Sequence, residues 1–237
     1  RRIVRRRRRF GGMVMLRLSE EDHRKVAEAV AKAEAGSNGE IVTIATPLSD
    51  SYHDVALHWA VAVLIAVLAF YAAIPAGLNW VADLMLGGWS DHSLRELLTI
   101  LLVIATAKFT VTLLILKWMP LRLWLTPPQT KTRRVRRRAI EYFKVGAERR
   151  TVGRTGILLY LSTGERRAEI VADEAILKVT TPETWGEAMA ALLTEVKAGR
   201  PADGIVAAVG LIGSVLSEHF PRDDTDMNEI PDKLIEL

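Results

Sequence analysis

The sequence predicts an α/β fold: a compact α/β/α domain with a small mixed sheet, interrupted by a two-helix transmembrane hairpin. Three observations lead there. Two apolar stretches, residues 56–74 and 97–116, each match the ~20 residues a helix needs to cross a ~30 Å hydrocarbon core. Short apolar, β-branched runs of strand length lie on either side of them, at residues 41–48 and 156–162. Amphipathic patterns of helical period flank those runs and supply the outer layers. Two spans would return the chain to the side it left, so the piece before residue 54 and the piece after residue 131 could build one domain.

The 237 residues carry a formal net charge of +4 that hides two local runs. Setting aside the seven arginines of residues 1–9 and the six basic residues of 131–138 leaves 19 basic residues against 28 acidic ones. The bulk of the chain is therefore acidic. Residues 1–15 are expected to be a disordered basic segment, because a like-charge run without apolar periodicity repels itself. With no cysteine, disulfides, thiol nucleophiles and thiolate metal sites are excluded.

The first part of the domain occupies residues 16–53. Ser19 and Asp22 form a capping box, and Val26, Ala29, Val30 and Ala33 follow at helical spacing until Gly36 ends the helix. The run at 41–48, closed by Pro47 and Ser49, reads as a buried strand. One helix and one strand cannot bury enough surface to fold alone, so their partners must lie beyond the hairpin.

The hairpin region spans residues 54–122. Positive residues near a span mark the cytoplasmic side. Lys117, Arg122 and the block Lys131, Arg133, Arg134, Arg136, Arg137 and Arg138 follow the second stretch, whereas the intervening loop holds Asp83, Asp91 and Glu96 against Arg95 alone. The expectation is an integral membrane protein with two spans and both termini cytoplasmic. Trp59, Trp118 and Trp124 would sit at one interface and Trp80 and Trp89 at the other. The basic block would also bind anionic lipid headgroups, at ~1 kcal/mol per residue near the surface; nucleic acid is not expected. Lys108 falls near the middle of the second stretch, where a charge costs about 2.5–3.5 kcal/mol on insertion scales. Snorkelling accounts for it, or pairing with another membrane protein or a second copy.

The second part of the domain covers residues 131–221, followed by an acidic tail at 222–237. A basic helix at 133–144 places Ala139, Ile140 and Phe143 on one side. Residues 156–162 and 167–173, joined by a turn at Gly164, read as an antiparallel hairpin whose second strand sets Ala168, Ile170 and Ala172 against Arg167 and Glu169. Thr181 and Pro182 open a helix with an apolar stripe of Trp185, Ala188, Met189, Leu192, Leu193 and Val196. The last helix, 204–218, is apolar, but its continuous run of twelve residues is short for a span, and Gly210, Gly213 and Ser214 suit close packing in a core.

This order of elements, with the segments GEIVTIATPLSD, GRTGILLYLSTGERRAEIVADEAI, TPETW and ADGIVAAVGLIGSVLSEHFP, resembles the TPM domain family over roughly residues 18–48 and 140–221. The resemblance implies a compact α/β domain at or near a membrane, in a family linked with acid phosphatase activity, calcium binding and accessory roles in membrane complexes. Family members commonly carry a glycine-rich turn and acidic residues after the second hairpin strand. Here Ala172 leads directly into Asp173 and Glu174, without the glycines. Those two carboxylates are the candidate metal ligands, with calcium as the cation, and they equally suit a plain strand end.

Other chemistry is sparse. No pair among His23, His53, His58, His92 and His219 has the i, i+4 spacing of a helical metal site. The glycines of GRTG at 153–156 are too few for a phosphate loop, and Glu229 stands where a calcium loop built on Asp224, Asp226 and Asn228 needs glycine. No catalytic residue is assigned. The sequence points to an accessory or interaction module at the cytoplasmic membrane face, with a cation-dependent phosphatase-like hydrolase as the alternative.

Overall fold

The structure is a computed structural model that describes residues 8–10, 13–15, 18–88, 91–146, 155–222 and 234–236. Arg1 to Arg7, Trp89, Gly153 and Arg154 of the GRTG segment, and the acidic stretch 223–229 lie outside the described residues. Two compact units emerge, one from residues 1–51 and 127–237, the other from residues 52–126.

The first unit is the α/β/α domain. A short ribbon pairs β1 (Arg8–Phe10) with β2 (Met13–Met15), and α1 (Glu20–Glu34) follows. Ser19 caps α1 as its spacing predicts: its hydroxyl accepts from Asp22 N at 3.1 Å, and its own N–H donates to Asp22 Oδ2 at 2.8 Å. β3 (Glu40–Thr46) is the central strand. It runs parallel to β4 (Gly156–Ser162), which pairs antiparallel with β5 (Arg167–Ala172) in register from Ile157↔Ala172 to Ser162↔Arg167.

The two faces of this sheet build two cores. Ile157, Leu159 and Leu161 of β4 and Ile41 and Ala45 of β3 face α1, α8 (Gly186–Lys197) and α9 (Pro201–His219). Leu158, Tyr160, Val42 and Ile44 face α6 (Pro128–Gly146) through Val135, Ala139 and Phe143. The period of two in each strand thus feeds both layers. Gly204 and Gly213 let α9 approach closely. A Cβ at Gly204 would meet the Leu192 carbonyl oxygen at 2.8 Å, and one at Gly213 would meet Ala33 Cβ at 2.6 Å.

A fourth strand was not expected. β6 (Leu234–Glu236) pairs parallel to β3 at Thr43–Ala45, giving the order β5-β4-β3-β6. It lies in the stretch that reads as an acidic tail, and its partner is nearly two hundred positions earlier, beyond the reach of local pattern. His23 on α1 holds it with Nε2 3.3 Å from Glu236 Oε2. Next to it, the Glu34 carboxylate accepts from Ile41 N at 2.6 Å and blocks the remaining edge of β3.

The second unit is helical and corrects the expected two-helix hairpin. It contains α2 (His53–Ala73), α3 (Pro75–Leu86), α4 (Leu94–Ile115) and α5 (Met119–Leu125). The expected outer loop is largely helix, because Pro75 is pre-set for the first helical position. Ser93 and Glu96 then cap α4 as a reciprocal box. α2 and α4 pack on each other, and Ala60 and Ala105 are among their buried positions.

The number of apolar helices is also corrected. Among the described residues three helices, not two, are long and apolar enough to cross a membrane: α2, α4 and α9, with mean hydropathies of 2.3, 2.3 and 1.3. α9 runs from Pro201 to His219, so the helix is longer than the continuous apolar run of twelve residues counted in the sequence. The localisation with two spans and both termini cytoplasmic is therefore overturned, since an even number of spans was its premise. The expected α/β/α domain with a mixed sheet is present; a two-helix transmembrane insertion is not what interrupts it.

Candidate functional site

Parallel strands leave a crevice at their carboxyl ends, where open α/β sheets place ligands. In this chain that end is formed by Thr46 of β3 and Ser162 of β4, which are paired in register. The two following loops are stitched together. Thr163 N donates to the Thr46 carbonyl at 3.0 Å, and Gly164 N donates to the Pro47 carbonyl at 2.9 Å.

That stitching brings a polar cluster under α6. Glu165, buried, accepts from Ser49 N at 2.9 Å and from the Ser162 hydroxyl. The Ser49 and Tyr160 hydroxyls are 3.0 Å apart. Burial is the main cause that pushes the Tyr160 hydroxyl up to about 12, and the Ser49 hydrogen bond opposes it. Tyr160 therefore stays neutral and can act only as a hydrogen-bonding group at physiological pH.

α6 closes the cluster from above. Arg134 Nη1 sits 3.0 Å from Asp50 Oδ2, with Arg137 Nη2 3.6 Å from the same oxygen. Arg138 Nε donates to the Ser49 carbonyl at 3.1 Å, and its guanidinium lies 5.7 Å from the centre of the Tyr142 ring. The basic block is thus split by its helical period. Arg133, Arg136 and Arg137 are exposed, whereas Lys131, Arg134 and Arg138 are half-buried toward the sheet.

Lys131 on α6 and Arg167 on β5 are like charges that act on each other. Burial first, then the Arg167 charge, holds the Lys131 ammonium below the usual lysine range, and Glu165 only partly offsets this. Arg167 Nε is buried with no hydrogen-bond partner among the described residues. Glu169, one pleat along β5, has its carboxyl pushed up by burial while Arg136 and Arg167 pull it down.

The carboxylates singled out in the sequence lie at the opposite end of the sheet and diverge. Asp173 is buried and accepts from Gly156 N at 3.0 Å, clasping the end of β5 to the start of β4. Glu174 opens α7 (Glu174–Val179) on the outside, 67% exposed and 2.9 Å from Lys178. Among the described residues no group of three or more histidine, cysteine, aspartate or glutamate side chains is placed to hold a metal ion. Lys108 is exposed on α4, and its carbonyl accepts from the Thr112 hydroxyl at 2.7 Å.

Sequence reasoning missed Ser49, Asp50, Tyr160, Glu165 and Arg167. Asp50 sits just past a strand and Glu165 in a turn, where polar residues are ordinary. Only the parallel pairing of β3 with β4 makes them neighbours. Arg167 and Glu169 did carry a signal: their alternation with Ala168 and Ile170 sets them on one face, which the structure covers with α6 rather than water.

Nothing among curated proteins matches the chain. Its fold is similar to the NMR structure of the BA42 protein from the psychrophilic bacterium Bizionia argentinensis, with a TM-score of 0.53 and 15% identity, covering 93% of this chain and 95% of that one. A likeness at that identity speaks to fold alone. Residues 125–215, which hold α6, the β4–β5 hairpin and the helices packed on it, match the model of the TPM domain. Over residues 125–215 the chain belongs to the TPM domain family.

Proposed function

We propose that the chain is a membrane-anchored accessory or interaction module built on a TPM domain, working at the membrane face that carries its basic helix. The supporting observation is the surface of α2 and α4. Leu57, Ile65, Leu68, Phe70, Leu102, Val103, Val111 and Leu114 are all exposed there. Contiguous apolar surface on this scale marks contact with lipid or another protein. Lys108, exposed among these apolar side chains, is the contact we assign to a membrane protein partner or a second copy.

Alkaline carbonate extraction of membranes tests the anchoring: the full chain is expected in the pellet, and its release into the supernatant would remove the reading. The alternative, a cation-dependent phosphatase-like hydrolase, is supported by the family resemblance and would need carboxylates converging on a cation to hold phosphate and activate water. Turnover of p-nitrophenyl phosphate with calcium separates the two readings. Activity above background that Asp173→Asn removes and Glu174→Gln weakens would replace the accessory module with an enzyme.

A further inference from the structure

An open groove runs along the N-terminal half of α4. Leu94, Arg95, Leu98, Thr99 and Leu102 line it, around a volume of about 520 Å³. The leucines recur every four residues, and Arg95 and Thr99 repeat that interval, so the five positions make one strip along the helix. The three leucines and Arg95 are exposed.

The polarity of this strip has a direction. Arg95 stands in the first turn of α4, and Leu102 lies seven residues on (102 minus 95), ~10 Å further along the axis. The Thr99 hydroxyl donates to the Arg95 carbonyl at 2.7 Å, which leaves the guanidinium as the free polar group of the groove. Among the described residues Arg95 makes no ion pair. Its neighbour Glu96 is taken up by the helix cap, where the Ser93 N–H and hydroxyl both donate to Glu96 Oε2 at 2.7 Å. Between Lys32 and Lys108 Arg95 is the one lysine or arginine in the sequence. A cation in the first turn also opposes the helix dipole, so α4 itself gains nothing from it.

We propose that this groove holds an anionic phospholipid, with the phosphate on the Arg95 guanidinium and an acyl chain along Leu98 and Leu102. The proposal rests on the membrane-anchored reading of α2 and α4 given above. A phospholipid presents its charge first and its hydrocarbon below it, in the order of the groove, and the planar guanidinium fork matches two phosphate oxygens. A helix of another protein could cover the leucines, but it would have to bring a carboxylate to the first turn as well. The lipid supplies both from one molecule. The phosphate of phosphatidylglycerol has no cation in its own headgroup, so Arg95 is its counter-charge, whereas in phosphatidylcholine the choline ammonium competes.

The test uses the full chain in phosphatidylcholine bilayers doped with a trace of lipid that carries a photoactivatable diazirine in its acyl chain. Mass spectrometric sequencing gives the ratio of adducts on residues 94–102 to adducts on residues 57–70 of α2. Three probes with identical chains are compared: phosphatidylglycerol, phosphatidylcholine, and diacylglycerol, which lacks the phosphate. Phosphatidylglycerol should raise the ratio about fivefold over diacylglycerol, the value of one basic residue near an anionic surface. Arg95→Gln should return it to the diacylglycerol value, and Arg95→Lys should keep most of the rise. Adducts on α2 should be unchanged in both variants, which guards against misfolding.

The same ratio for phosphatidylglycerol and diacylglycerol overturns the proposal. A raised ratio that Arg95→Gln leaves untouched overturns Arg95 as the headgroup contact. Equal labelling by phosphatidylcholine and phosphatidylglycerol overturns the requirement for an anionic lipid. A labelled α2 beside an unlabelled groove puts a second copy of the chain there and overturns the lipid. Failure of the anchoring reading shows differently, as loss of adducts on α2 and α4 alike and as release in carbonate extraction.

Discussion

α9 and α4 carry the same kind of hydropathy, and the protein uses them differently. Half of the most apolar window of α9 is buried inside the structure, against 11% for α4 and 17% for α2. α9 places Ile205, Ala208, Val209, Ile212 and Leu216 in the core shared with α1, α8 and the sheet. α4 directs Leu98, Leu102, Val103, Val111 and Leu114 outward. Composition measures how apolar a helix is, and only its neighbours say which apolar surroundings it has.

The sharpest way to break this comparison is to truncate one leucine from each region. Leu161→Ala in β4, which is fully buried, should cost ~2–5 kcal/mol through lost transfer energy and a residual cavity. Leu102→Ala in α4, 66% exposed, should stay within about 0.5 kcal/mol. Urea unfolding of the full chain in maltoside, followed by circular dichroism, reads both, and equal costs would deny the contrast.

A second pair probes α9 itself. Gly213→Leu forces side-chain atoms into Ala33 and should destabilise by ~1–3 kcal/mol, whereas Gly210, with nothing within 4 Å of a built Cβ, should accept leucine nearly unchanged. Thermal melting separates them; a matching fall at Gly210 would show that this face of α9 is covered.

The polar cluster gives smaller effects with definite signs. Tyr160→Phe leaves Ser49 without its hydroxyl partner and should cost about 1 kcal/mol at pH 7. Unfolded tyrosine loses its proton near ~10, and folded Tyr160 only at about 12. Between those values the unfolded state binds fewer protons, so the stabilisation is complete below the lower value and falls as pH rises through the higher one. The phenylalanine variant should lack that part of the alkaline decline. Denaturation midpoints measured up to pH 11 check it.

Lys131→Met should have the smallest effect and the opposite sign. Because burial and Arg167 lower the Lys131 pKa, the folded state binds its proton less readily than the unfolded one, and the resulting penalty at pH 7 is relieved as pH rises toward ~10.4. The variant should match the parent or exceed it by up to ~0.5 kcal/mol. A clear loss of stability would mean that the lysine stem, and not its charge, matters to the fold.

How much was legible in the sequence follows from the range of each interaction. The Ser19 cap, the β4–β5 hairpin and the stripe of α8 are written in residues a few positions apart, and they were readable. β6 was not, because three residues gain their meaning from a partner nearly two hundred positions earlier. α3 has the look of a loop between two apolar stretches, and its one helical signal is Pro75 at the first position. At the candidate site the basic block was visible as a run of charge. Its division into an outward set and an inward set needed the helix laid across Tyr160, Glu165 and Arg167.

The parallel pairing of β3 with β4 also sets an order of events during synthesis. Glu40 pairs with Gly156, 116 residues further along (156 minus 40). At ~5–20 residues per second the ribosome takes roughly 6–23 seconds to make that stretch. Throughout it β3 lacks both of its strand partners, while α2 and α4 emerge in full. α2 and α4 are thus synthesised in full before β3 can pair with β4.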